Sequence, residues 1–125
     1  LTSSGGGSSF AAQARLSREQ VRAKSKETLL EIINNENVTE EQKQNAVNDM
    51  TRLTETAEKE AAAELLLESK GFNDAVVSIT DGTADVVVSQ SELTDAQRAQ
   101  IEDIVKRKTE CSADKIVISP VGKKK

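Results

Sequence analysis

Residues 73–89 read NDAVVSITDGTADVVVS, and their period decides the fold. Ala75, Val77 and Ile79 alternate with Val76, Ser78 and Thr80; after Asp81-Gly82, Ala84, Val86 and Val88 alternate with Asp85, Val87 and Ser89. A period of two marks strands, and an Asp-Gly pair accepts the positive φ angles of a two-residue type I′ turn. The stretch is therefore predicted to be a hairpin pairing Thr80 with Thr83, Val77 with Val86 and Val76 with Val87. That register turns Ala75, Val77, Ile79, Ala84, Val86 and Val88 to one side, and a slip of one residue would expose all six.

Upstream of the hairpin the period is helical. Residues 10–33 contain neither Pro nor Gly, and Leu16, Ala23 and Leu30 recur every seven positions, joined by Leu29 and Ile33. The first half of this helix is so polar that it is expected to fray or to dock on something. The NNEN of residues 34–37 breaks it, because Asn side chains bond to nearby backbone groups. Thr39 with Gln42 then reads as a capping box opening a second helix. Ala46, Met50, Leu53, Ala57, Ala61 and Leu65 are read as its apolar face, and Gly71 stands where a left-handed C-cap is wanted.

Downstream, Thr94 with Gln97 is a second capping box, for a helix that turns Ile101, Ile104 and Val105 inward and ends on Lys106, Arg107 and Lys108, favourably for its dipole. A third strand over residues 115–119 stops at Pro120. The order ααββαβ gives an α+β fold, a three-stranded sheet with helices on one face, the strands joined through the third helix being parallel by the crossover rule. The first strand, with the fewest charges, is placed in the centre. The organisation read from this is a Gly/Ser linker over 1–9, a helical arm over 10–35, the α/β domain over 36–120 and a basic tail over 121–125.

Composition narrows the function. The 125 residues are 36% hydrophobic but only 2% aromatic, so the core is built from Val, Ile, Leu and Ala. A net charge of −4 argues against a general nucleic-acid or anionic-membrane binder. With one cysteine, Cys111, and no histidine, there is neither a disulfide framework nor a zinc set. Glu40-Glu41, Glu58/Glu60 and Glu102-Asp103 sit at helix starts or on polar faces and read as solvated charge. No glycine-rich loop follows a strand, so neither catalysis nor a cofactor is expected. No apolar run reaches the ~18 residues of a membrane span.

What is left is contact surface. Arg15, Arg18 and Arg22 stand against Glu19 on the arm and are candidates for meeting an acidic partner. Parity puts Val76, Val87 and Val117 together on the sheet face away from the helices, as a candidate interface beside an edge strand.

Longer strings carry a resemblance. RAKSKETLLEII at 22–33, Lys43 through Ala46, Asp49-Met50, Leu53, ELLLESKGFNDAVV at 64–77 and IEDIVKRKT at 101–109 together resemble the stage III sporulation protein AH family from about Arg15 to Ser119. The KGFNDAVV of residues 70–77, joining helix cap to first strand, is the most specific part. The resemblance implies a domain similar to the ring-building motif of type III secretion and flagellar ring proteins. It also implies a membrane span upstream of Leu1, a place in the mother-cell membrane facing the space around the forespore, stage II sporulation protein Q as partner, and other proteins of the same operon completing a channel. A cytoplasmic helical adaptor and an RNA-binding α/β module are the alternatives. The absence of a GxxG loop and of stacking aromatics weighs against the second.

Overall fold

The computed structural model describes residues 10–121; the expected linker over 1–9 and the basic tail beyond Val121 lie outside the described residues. The elements are α1 (Phe10–Ile33), α2 (Glu40–Ser69), β1 (Val76–Thr80), β2 (Thr83–Val88), α3 (Asp95–Thr109), a short 3-10 turn (Ala113–Lys115) and β3 (Ile116–Pro120). This is the expected α+β order.

Local chemistry explains the boundaries. At Thr39 and at Thr94 the hydroxyl accepts from the backbone N–H of Gln42 or Gln97, and the glutamine side chain accepts from the threonine N–H, so both capping boxes are closed. Gly71 takes φ +98° just past α2, and Asp81 and Gly82 take φ +51° and +80° between β1 and β2, the two positive angles that a type I′ turn requires.

The hairpin has the expected register, with Val76 opposite Val87, Val77 opposite Val86 and Thr80 opposite Thr83. β2 also pairs in parallel with β3, Val86 opposite Ile118. The sheet order is therefore β1-β2-β3, and β2, not β1, is central. Counting charges misplaced the centre because Asp85, the one charge in β2, points to the uncovered face, where it costs little. Ala75, Val77, Ala84, Val86 and Val88 meet Ala63 and Leu67 of α2, Phe72, and Ile101, Ile104 and Val105 of α3 in one core, which Ile79 borders.

The helical faces differ from expectation. Leu16 is 60% exposed, Leu30 and Ala23 are exposed too, and Leu65 is 70% exposed. The residues turned inward follow a different phase: Ala11, Arg15, Arg18, Arg22, Ser25, Leu29 and Ile32 on α1, and Ala46, Met50, Leu53, Ala57, Glu60, Glu64 and Leu67 on α2. Each series advances by alternating steps of three and four, the seam of two helices packed side by side. Near the connecting turn that seam is apolar, with Leu29 and Ile32 beside Val38 and Ala46. Towards the other end it is charged. The N-terminal half of α1 docks on its own chain and does not fray.

Candidate interaction surfaces

In β1 the residues whose main-chain groups point away from β2 are Ala75, Val77 and Ile79, by the alternation of an antiparallel ladder. All three meet side chains of the helices. The Val77 N–H donates to Glu64 Oε2 at 2.8 Å and the Ile79 N–H donates to Glu60 Oε2 at 2.8 Å. Arg15 donates to the Ala75 carbonyl, and Arg18 Nη1 donates to the Val77 carbonyl at 2.6 Å. Carboxylates stand where a neighbouring strand would place carbonyls, and guanidinium groups where it would place N–H groups. The β1 edge is closed.

The closing side chains form a ladder of ion pairs. Arg18 Nη1 lies 2.8 Å from Glu64 and 3.5 Å from Glu60, Arg22 Nη2 lies 3.0 Å from Glu60, and Glu19 meets Arg18 and Arg22 from its own helix at 3.1 and 3.2 Å. Glu60 is only 1% exposed. Burial disfavours the Arg18 charge, but the hydrogen bond to Glu64 and the charges of Glu64 and Glu60 outweigh it and hold its pKa above the ordinary value.

Arg15, Arg18 and Arg22 are thus brought together, but the acidic surface they meet is α2 of the same chain. Glu60, read from sequence as solvated, is buried, and Glu64 was not singled out at all. Both lie on the seam 46-50-53-57-60-64-67, so extending the phase of Ala46, Met50 and Leu53 through charged positions would have found them. Of the three valines, Val76 is buried outside the core cluster, at the edge that Arg15 and Arg18 cover, so it offers no contact surface. Val87 is half-buried and Val117 is 49% exposed on the outer face, beside exposed Asp85 and Ser119.

The opposite edge is built differently. Val121 N–H donates to Val88 O, which sets the parity of the parallel ladder: Val117 and Ser119 face β2, while Ile116 and Ile118 direct their N–H and C=O groups outward. Pro120 follows, a residue suited to edge strands. An open cleft of about 530 Å³ is lined by Ser25 and Leu29 of α1, Leu53 of α2 and Ile79 of β1. Among the described residues no group of His, Cys, Asp and Glu is placed to hold a metal, and no helix is long and apolar enough to cross a membrane. Cys111 is buried and unpaired with another cysteine.

The model of one protein family, described as SpoIIIAH-like protein, matches residues 2–118. The chain belongs to the SpoIIIAH-like family. It is 27% identical over 100 residues to the stage III sporulation protein AH of Bacillus subtilis (strain 168). That match takes in 80% of this chain and 46% of that protein, so the chain spans about half the length of this curated relative. Among solved structures, a chain of the SpoIIQ-SpoIIIAH pore forming complex matches with a TM-score of 0.76 at 23% identity, covering 91% of this chain and 100% of the other. The helices and mixed sheet described above are thus a fold shared with that chain, and the family is the one that the strings at 22–33 and 64–77 resemble.

Proposed function

We propose that this chain is a non-enzymatic structural component of the channel between mother cell and forespore, anchored to the mother-cell membrane by sequence preceding Leu1. In this reading it faces the intermembrane space, binds a stage II sporulation protein Q partner, and joins other channel subunits in a ring. Family membership supports the sporulation role, and the fold shared with a chain of the SpoIIQ-SpoIIIAH pore forming complex supports the kind of assembly. The observation that carries the contact is the asymmetry of the sheet. With β1 closed by side chains, β3 is the edge with main-chain groups directed outward, and its Val117 lies on the outer face.

An incoming strand at β3 would pair with Ile116 and Ile118, while an apolar group on the partner covers Val117 and Val87. Ring subunits concentrated by a membrane need only weak contacts, since tethering raises the effective concentration towards the millimolar range. The test is to mix the protein with the soluble domain of the SpoIIQ protein of the same organism and to measure affinity by titration calorimetry. Binding is expected, and Val117→Lys or Val87→Lys should weaken it by at least about 1 kcal/mol, the value of a buried apolar contact of that size, with circular dichroism unchanged. Equal affinity for wild type and both variants would move the interface to the helical side of the domain.

A further inference from the structure

The two halves of α1 are held by different forces. The C-terminal half packs Leu29 and Ile32 near Val38 and Ala46, whereas the N-terminal half buries Ala11 and is pinned to the body by the ion pairs and hydrogen bonds of Arg15, Arg18 and Arg22. Ion pairs weaken with salt where water reaches them, and the arginines keep partial access to it, Arg15 most. A helix fastened this way opens locally before the core does.

We propose that the N-terminal half of α1 is a releasable strap over the β1 edge, and that the released edge pairs with the β3 edge of a second copy of this chain. When the strap leaves, Arg15 and Arg18 withdraw from the carbonyls of Ala75 and Val77. Glu60 and Glu64 lose their counter-charges and turn to water, freeing the N–H groups of Val77 and Ile79. The uncovered edge offers donors and acceptors at every second residue, the spacing at which Ile116 and Ile118 present theirs at the far side of the sheet. Because the two edges lie on opposite sides of one molecule, the contact is head-to-tail, and each added copy exposes a fresh edge. The net charge of −4 opposes close approach of copies, so salt favours both release and pairing. The closed strap then keeps β3 available for other strands by removing its competitor. This reading does not depend on the identity of the partner protein.

Amide hydrogen exchange on the full chain tests the strap. At low salt the Val77 and Ile79 amides are expected to be protected. Near 1 M NaCl, where the screening length is about 3 Å, they should exchange several-fold faster relative to the Val86 amide of the central strand. Arg18→Ala should raise their exchange by roughly tenfold, the effect of losing a charge-assisted hydrogen bond. Sedimentation velocity of that variant should show species heavier than a monomer, and adding Ile118→Pro, which removes an outward N–H from β3, should return it to a monomer while exchange stays fast. If Val77 and Ile79 track Val86 at every salt concentration, in wild type and variant alike, the strap is overturned. Fast exchange without self-association, or self-association that survives Ile118→Pro, overturns the second copy as occupant. The salt series on wild type needs no substitution and stands even if Arg18→Ala fails to fold.

Discussion

Glu60 holds a carboxylate where its helix turns towards the sheet, and its neighbours make that position tolerable. A buried ion pair recovers its desolvation cost only when its charge is well answered. Glu60 Oε2 accepts from the Ile79 N–H and from Arg22, while Oε1 accepts no hydrogen bond among the described residues and is balanced by the charges of Arg22 and Arg18 alone. Removing one member leaves the rest uncompensated. Glu60→Ala is therefore expected to destabilise the fold by about 3 kcal/mol in urea denaturation, because it leaves the Ile79 N–H without its acceptor and Arg22 with Glu19 as its remaining ion pair. Replacing Glu60 and Arg22 together by leucine should restore much of that loss, since well-packed apolar pairs equal or exceed buried ion pairs in stability. A double variant no more stable than Glu60→Ala would show that the bond to the β1 edge, and not the ion pair, sets the cost. Sequence reading classed Glu60 as solvated because a charged side chain on a helix usually is. Nothing in its neighbours in sequence shows that an arginine 38 positions away answers it.

At the scale of the elements, the features legible in the sequence are those written by local chemistry. Two Thr-x-x-Gln boxes, a glycine past α2, an Asp-Gly turn and a period of two from Ala75 to Ser89 each act within a few residues, and the structure shows all of them. The helical seam was not legible from apolar positions, because five of its fourteen positions are arginine or glutamate. The spacing of Leu16, Ala23 and Leu30 is regular but faces solvent, and the face read on α2 drifted off the seam at Ala61 and Leu65. The order of strands escaped for another reason. Charge on an open face says nothing about a strand's place in the sheet, whereas a parallel crossover neighbour does. These two faces separate cleanly by mutation. Leu16→Gln and Leu65→Gln should each change stability by less than about 0.5 kcal/mol, as exposed substitutions do, while Leu67→Ala should cost roughly 2–5 kcal/mol for a fully buried leucine. A loss above about 1 kcal/mol at Leu16 would place that stripe in a contact within the folded chain.

At the scale of the whole molecule, the core and the strap are separable. Every residue of the core cluster comes from α2 onward, and α1 contributes none. The body over residues 36–121 is well above the ~40-residue floor below which a chain needs disulfides or metals to fold. It also contains the whole sheet and both capping boxes. Deleting residues 1–35 should therefore leave a domain that unfolds cooperatively, with unchanged near-native sheet content. Its stability should be lower by about 2–4 kcal/mol, the order of the charged hydrogen bonds that the arginines make to α2 and β1. Its denaturant slope should fall as well, because less surface is exposed on unfolding. Glu60 and Glu64, no longer answered by arginine, should then repel each other beside an uncovered strand edge. Added salt should consequently stabilise the shortened domain more than the full chain, whose ladder it weakens. Opposite salt responses of the two forms in urea titrations at low and high NaCl are the expected result. A shortened domain that binds hydrophobic dye and melts without cooperativity would mean that α1 is part of the folding unit itself.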